Sequence, residues 1–165
     1  MNDIPQLRTP GVIANELGEP LTRVLWEAGE QVAAADWLLA IEEIQRFSRR
    51  VASFFATTDL FLTPTMSAPP LPIGVMVSTP DDPWRSMNVS APTVRYAGVV
   101  ANLTGNPAMS VPLDWNEDGL PIGVHFLGRF GDEATLLRLA AQLEEAQPWT
   151  QRLPQIHAVA PTGNG

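Results

Sequence analysis

Three short apolar runs constrain the fold of this chain more than any other feature. They are Asp59–Thr63, Ala108–Leu113 and Pro121–Leu127, and each ends close to a proline or glycine. Short apolar runs bounded by turn residues predict buried β-strands. Because successive side chains of a strand point to opposite faces, strands this apolar indicate a sheet that is covered on both sides. Three strands are few for such a sheet, so the pattern points to part of a larger one.

Helical periodicity separates and flanks these runs. The strongest pattern extends from Trp37 to Phe55, with Asp36 as a candidate N-cap and an expected end near Thr57–Thr58. Glu133–Ala146 is a second amphipathic pattern, with Pro148 beyond its end. Weaker helices are predicted over 21–28 and 93–102, and the proline-rich stretch 73–92 predicts a surface excursion without a packed element. Asp118-Gly119 predicts a hairpin that pairs the last two strands antiparallel.

This alternation of helices and strands predicts the α/β class and one main unit. Residues 1–20 contain Pro5, Pro10 and Gly11 and are expected to form an irregular lead-in. Residues 21–154 carry the periodic segments, and residues 155–165 are expected to be a disordered tail.

Composition narrows the possible functions. The 165 residues are 45% hydrophobic and carry a net charge of -8, which argues against a nucleic-acid partner. Cysteine is absent, so no thiolate nucleophile or cysteine metal site is available, and a reducing cytoplasm is the expected location. No apolar run reaches the roughly 20 residues that a membrane span needs. All ten basic residues are arginine, which remains protonated and cannot replace lysine as a general base.

Several segments together resemble the amidase signature family. The closest likeness is Asn102–Pro112 followed by Gly119–Phe126, and Asp59–Thr65 resembles the family's strand and threonine-proline loop. Gly131–Ala140, with Pro148-Trp149 after it, resembles the family's last helix and ending. The likeness runs in the right order from about Leu21 to Pro154. Within the family it is nearest to bacterial amidases that include hydrolases of cyclic nylon oligomers.

The resemblance implies a fold and a chemistry. The implied fold is the C-terminal part of a mixed β-sheet covered by α-helices, incomplete as a stand-alone sheet. The implied chemistry is hydrolysis of a carboxamide by a serine nucleophile, through a second serine and a neutral lysine base, without metal or cofactor. This chain has no lysine, and none of its seven serines is adjacent to another. No catalytic residue is therefore assigned to it, and the isolated chain is expected to be inactive.

The candidate site residues lie at the end of the first predicted strand, in the loop after it, and at the end of the helix predicted over 93–102. Thr63, Thr65 and Met66 are expected to line the amide pocket of an intact enzyme, or else to be ordinary turn residues. Asn102 is expected either to hydrogen-bond within that pocket or to close its helix. A triad of Ser110, His125 and Asp114 is disfavoured, because His125 alternates within a strand at a position where the family usually has glutamine.

The remaining polar and aromatic residues leave three hypotheses open. His125 and His157 are too far apart in sequence for a metal motif, and Trp26 and Trp37 are candidates to pack against a missing partner.

The leading hypothesis is a truncated amidase that contributes a pocket wall for a small-molecule amide. One alternative is a non-enzymatic domain that self-associates, as a homo-oligomer, or pairs with another chain. The other is one half of a split enzyme whose N-terminal half is a separate chain.

Overall fold

The computed structural model describes residues 18–94 and 97–154, which form five α-helices and three β-strands. In chain order these elements are α1 (Pro20–Glu30), α2 (Ala34–Phe54), β1 (Leu60–Pro64), α3 (Arg85–Ser90), α4 (Ala97–Thr104), β2 (Ala108–Trp115), β3 (Pro121–Gly128) and α5 (Glu133–Ala146). This mixture confirms the predicted α/β class. Most of the predicted lead-in, and all of the predicted tail, lie outside the described residues.

The three strands form one antiparallel sheet in the order β1-β3-β2. The predicted hairpin joins β2 to β3, and Asn116 organises it: its side-chain Oδ1 accepts from the backbone N–H groups of Asp118 and Leu120. Gly119 occupies the left-handed region at φ 76°, which glycine adopts without strain. β3 is the central strand, so β1 and β2 are both edges of this sheet.

Helix α5 covers one face of the sheet. Val111, Phe126 and Leu136 are buried together there, and Leu139 and Leu143 on α5 pack against them. The helix begins where predicted because the Asp132 side chain accepts hydrogen bonds from the N–H and hydroxyl of Thr135. The hydroxyl bond is the largest of the causes that lower the pKa of Asp132. Capping thus holds Leu136 over the sheet.

The end of helix α2 covers part of the opposite face. Phe55 and Leu127 are the two most deeply buried large side chains, and the Arg129 guanidinium Nη2 donates to the Phe55 carbonyl at 2.9 Å. The predicted N-cap was wrong: α2 begins at Ala34, and Asp36 lies in its first turn. Alanine favours helix, so Ala34 and Ala35 extend it upstream, and Asp36 still interacts favourably with the positive end of the helix dipole.

Two further predictions of local structure need correction. The stretch 73–92 contains a regular element that was not predicted, the short helix α3, although none of the residues of α3 is buried; a bond from the Ser86 N–H to the Ser78 hydroxyl joins it to the preceding loop. The helix predicted over 93–102 is α4, which ends two residues later, at Thr104. Gly105 follows it at φ 74° and donates its N–H to the Ala101 carbonyl, which satisfies one of the last carbonyls of α4.

Candidate functional site

A row of polar side chains crosses the sheet on the face opposite α5. The register places Thr63 opposite His125, and His125 opposite Ser110. Directly opposed residues in antiparallel strands project to the same face, and Thr65 joins them because it lies two positions after Thr63. This face is therefore divided, with Phe55 and Leu127 packed at one end and hydroxyl and imidazole groups at the other.

Thr63 and His125 form the buried part of the row. Their side chains are 8% and 7% exposed, and 3.3 Å separates the Thr63 Oγ1 from the His125 Nδ1. Burial lowers the pKa of His125, so the imidazole is held in its neutral form. A neutral imidazole that is hydrogen-bonded to threonine serves here as a buried polar contact between β1 and β3.

Thr65 and Ser110 form the accessible part. Their hydroxyl oxygens are 2.5 Å apart, although β1 and β2 are not neighbours in the sheet. Gly123 makes this contact possible, because a Cβ at that position would lie 2.6 Å from the Thr65 Oγ1 and 2.7 Å from the Ser110 Oγ. The glycine of the central strand thus opens the space in which two edge-strand hydroxyls meet.

A cavity of about 430 Å³ opens above this hydroxyl pair. Its walls come from the loop after β1 and from both strands of the hairpin, and its lining residues include no charged side chain (Thr65, Met66, Ser67, Ala68, Pro69, Pro70, Ser110, Pro112, Asn116, Leu120, Pro121, Ile122, Gly123). The Thr65 N–H bonds to the Gly123 carbonyl, and the Ser67 N–H bonds to the Thr93 carbonyl, both at 2.9 Å. A mostly apolar cavity with three hydroxyls, those of Thr65, Ser67 and Ser110, and one amide is suited to an uncharged ligand.

The predicted site residues divide among three places. Thr65 and Met66 lie in the cavity wall, whereas Thr63 lies beside the cavity and bonds to His125. Asn102 is exposed on α4 and is not among the lining residues. The structure therefore brings Thr65 and Met66 together with Ser110 and leaves Asn102 apart from them. A role of any of these residues in binding substrate stays a prediction.

The disfavoured triad is not assembled. Ser110 and His125 are opposite each other, but the His125 Nδ1 contacts Thr63, and the Asp114 Oδ1 accepts from the Trp115 N–H at 2.8 Å. Asp114 is paired with Ile122, on the far side of a register shift. Sequence reasoning considered Ser110 only as a nucleophile and missed its partner Thr65. The available signal was Gly123, a small residue within an otherwise apolar strand.

A second and larger cleft, of about 590 Å³, lies between α2 and the end of β3. Two of its polar side chains already serve the backbone: Arg129 donates to the Phe55 carbonyl, and the Asn106 Nδ2 donates to the Gly128 carbonyl at 2.8 Å, while the charged Arg49 also lines the cleft. The smaller cavity beside Ser110 is therefore the better candidate site.

Two other kinds of site are absent from the part of the chain that the structure describes. No helix over 18–94 or 97–154 combines the length and hydropathy that crossing a membrane requires. Over these same ranges, no group of three histidine, aspartate or glutamate side chains converges as a metal site would require.

Comparisons with known proteins give a consistent result. The family described as Amidase matches residues 3–137. The 6-aminohexanoate-cyclic-dimer hydrolase of Paenarthrobacter ureafaciens is 33% identical over 153 residues, which are 85% of this chain and 31% of that protein. The AmiC protein of Mycobacterium leprae is 44% identical over 117 residues, which are 68% of this chain and 23% of that protein. The chain thus spans less than a third of the length of these relatives.

Solved structures agree with the sequence relatives. The structure of 6-aminohexanoate cyclic dimer hydrolase complexed with substrate superposes with a TM-score of 0.72 at 29% identity, over 83% of this chain and 30% of that chain. A bacterial aryl acylamidase of the amidase signature family superposes with a TM-score of 0.55 at 20% identity, which supports the fold alone. These neighbours confirm the predicted fold class, a portion of the amidase signature fold with an incomplete sheet.

Proposed function

The chain belongs to the amidase family, and from this membership we propose that it supplies a sheet and a pocket wall to a carboxamide hydrolase. The serine nucleophile, the second serine and the lysine base would come from polypeptide outside these 165 residues. The substrate would be a small uncharged amide, and the expected setting is the cytoplasm.

The observation that carries this proposal is the uncharged cavity in a chain without lysine. The cavity offers the Thr65 and Ser110 hydroxyls and the Asn116 amide to a ligand, and none of these is a general base at neutral pH. Such groups can orient an amide, but they cannot activate a serine. These properties support a role for this chain as a pocket wall that positions the substrate. The catalytic groups would then be supplied by another segment.

Activity measurements test the first half of the proposal. The isolated chain should release no product from the 6-aminohexanoate cyclic dimer above the rate in buffer. A rate above that background that is lost in both Ser110→Ala and His125→Ala would contradict the proposed inactivity, because it would place the chemistry in this chain.

Complementation tests the second half. The chain is combined with the portion of the Paenarthrobacter hydrolase that it does not match, and hydrolysis of the cyclic dimer is followed. Thr65→Val should raise KM with little change in kcat if the hydroxyl only orients substrate. Arg138→Ala, at an exposed position of α5 away from the cavity, is the matched control and should behave like the unaltered chain.

One observation keeps an interaction role as a second candidate. Trp37, Leu38 and Leu39 are exposed over the first turns of α2, and apolar surface of this kind marks binding sites. A non-enzymatic role would be favoured if the chain formed a stable homo-oligomer and gave no activity with the complementary portion.

A further inference from the structure

The larger cleft, between α2 and the end of β3, is lined by positive charge and by no negative charge. Its charged side chains are two guanidiniums, whereas the whole chain has a net charge of -8. The lining residues are Ser48, Arg49, Ala52, Phe55, Ala56, Thr104, Asn106, Arg129 and Phe130. Because the walls of a cleft focus the field of the charges that line it, this arrangement favours an anionic ligand.

Arg49 differs from its neighbouring arginines on α2 in having no partner within the chain. Arg46 forms ion pairs at 2.6 Å with two glutamates of the same helix, and the Arg50 guanidinium lies 5.8 Å from the centre of the Phe47 ring. Among the residues that the structure describes, Arg49 is exposed and has neither an ion pair nor a side-chain hydrogen bond. Its five N–H donors are therefore available to a ligand in the cleft.

Arg129 also has donors to spare. Its Nη2 donates to the Phe55 carbonyl, which uses one of the five N–H groups of a guanidinium. The Thr135 hydroxyl is the main cause of the lowered pKa of Asp132, and the charge of Arg129 is a smaller cause. That carboxylate caps α5 and does not line the cleft, so it does not occupy the place of an anion there.

The other polar side chains of the cleft direct their donors to the backbone. The Ser48 hydroxyl donates to the Ile44 carbonyl at 2.9 Å, and the Thr104 hydroxyl donates to the Val100 carbonyl at 2.8 Å. The Asn106 amide is used in the same way, as described above. Guanidinium groups thus supply the side-chain donors that remain. An ionised carboxylate only accepts hydrogen bonds, and its two oxygens match the fork of a guanidinium.

Apolar side chains form the rest of the cleft wall. Ala52 and Ala56 line it from α2, and the Phe130 ring lines it from the turn after β3. Phe130 is 72% exposed, but its ring lies against the backbone of Gly105, where a Cβ would be 3.3 Å from the ring. A cleft of about 590 Å³ is large enough for a small organic molecule, and an inorganic anion would leave these apolar walls without a contact.

From these observations we infer that the cleft between α2 and the end of β3 binds a small organic carboxylate. Arg49 and Arg129 hold the carboxylate group, and Phe130 contacts the apolar part of the ligand. This site is separate from the cavity beside Ser110 and takes no part in the proposed amide hydrolysis. Its binding can therefore be measured on the chain alone.

Phenylacetate is a suitable probe because it joins one carboxylate to one ring. Titration of the chain, followed by NMR of the backbone amides, should shift the signals of Asn106 and Phe130 in a saturable way. Two matched probes divide the ligand into its parts: 2-phenylethanol lacks the carboxylate, and acetate lacks the ring. Each should bind about tenfold or more weakly than phenylacetate, because each loses one of the two kinds of contact.

Substitution of single arginines tests the assigned residues. Arg49→Gln should weaken phenylacetate binding about tenfold or more, since it removes a charged donor. Arg50→Gln is the matched control: it removes the same charge from the next residue, which does not line the cleft, and should have little effect. Arg49→Lys keeps the charge but not the planar fork, so its affinity should lie between those of the unaltered chain and Arg49→Gln.

Four results would overturn the inference. Phenylacetate might shift no amide of the cleft, or 2-phenylethanol might bind as tightly, which would leave only an apolar cleft. Equal weakening by Arg49→Gln and Arg50→Gln would show a general attraction of anions to the chain. Inorganic phosphate that binds as tightly as phenylacetate would identify a site for inorganic anions instead. Because both arginines are exposed, the two variants should unfold at the same denaturant concentration, which verifies that the comparison concerns folded chains.

Discussion

Gly123 shows how one residue can determine the shape of a candidate site. A methyl group there would overlap both hydroxyls, so Gly123→Ala should separate Thr65 from Ser110 or displace the strand. We expect a loss of about 1–3 kcal/mol in the free energy of unfolding, as is usual for overpacking. Denaturant titration of the isolated chain measures it.

Gly29→Ala is the control for this substitution. Gly29 lies within α1, and a Cβ there would meet no atom within 4 Å. Because alanine favours helix, we expect a gain of about 0.5–1 kcal/mol. Equal losses at both positions would contradict the steric explanation for Gly123.

His125 should make the stability of the chain depend on pH. Its pKa in the folded state lies below the ordinary value of 6.5, so between these two values the unfolded state binds more protons. Stability is therefore complete above pH 6.5 and decreases as the pH falls toward the folded-state pKa. Thermal unfolding measured between pH 8 and pH 5 should show this decrease.

The variant His125→Gln distinguishes the contribution of this histidine to the pH dependence of stability from that of the carboxylates, which also titrate at low pH. Glutamine keeps a hydrogen-bonding group but does not titrate, so the variant should lose the decrease that begins near pH 6.5. A variant whose pH profile matches that of the unaltered chain would show that another group is responsible.

Among the elements, α2 and β3 are joined by a polar contact between the residues that directly follow them. The guanidinium of Arg129 donates to the carbonyl of Phe55, just after the last residue of α2. Arg129→Ala should cost about 1 kcal/mol in unfolding free energy, because that carbonyl loses a charged donor. Arg50→Ala is the control, since the aromatic contact of Arg50 is with Phe47 of the same helix. A similar loss in both variants would mean that the contact contributes no specific stability.

The boundaries of elements were predictable where a local interaction sets them. Asp132 and Pro148 bracket α5, and its predicted range is correct. The start of α2 was missed because a run of alanines extends the helix without any cap, and α3 was missed because six residues are too few for a visible period. Its stabilising partners, such as Ser78, come from elsewhere in the excursion, which no local pattern reveals.

The candidate site was predictable only in part, for a related reason. Thr65 and Met66 were selected because they follow a strand, and both lie in the cavity wall. The contact between Thr65 and Ser110 depends on the register of three strands at once. Gly123 was visible as a small residue within a strand, but a single sequence does not fix which strand lies between the other two, so its position between Thr65 and Ser110 could not be predicted.

At the scale of the whole molecule, more large hydrophobic side chains are exposed than are buried among the described residues. Trp37, which the sequence marked as an anchor for a missing partner, is 60% exposed. A variant with Trp37 as its single tryptophan should be quenched strongly by acrylamide, and the complementary portion of the hydrolase should reduce that quenching. A variant retaining only Trp149, which packs against the core beside α5, is the control and should change little.

An unchanged quenching of Trp37 in a complex that has formed would contradict the anchor role. It would place this face of α2 in solvent even in the assembled enzyme.

The meeting of Thr65 and Ser110 also has a mechanical consequence. Thr65 directly follows β1 and Ser110 lies in β2, and the bond between their hydroxyls passes over the central strand without involving it. If β1 slipped by one residue, Pro64 or Met66 would take the place of Thr65 beside Ser110, and neither side chain has a hydroxyl. The bond therefore couples the positions of two strands that have no backbone contact with each other. The cavity keeps its shape only while these two strands stay aligned.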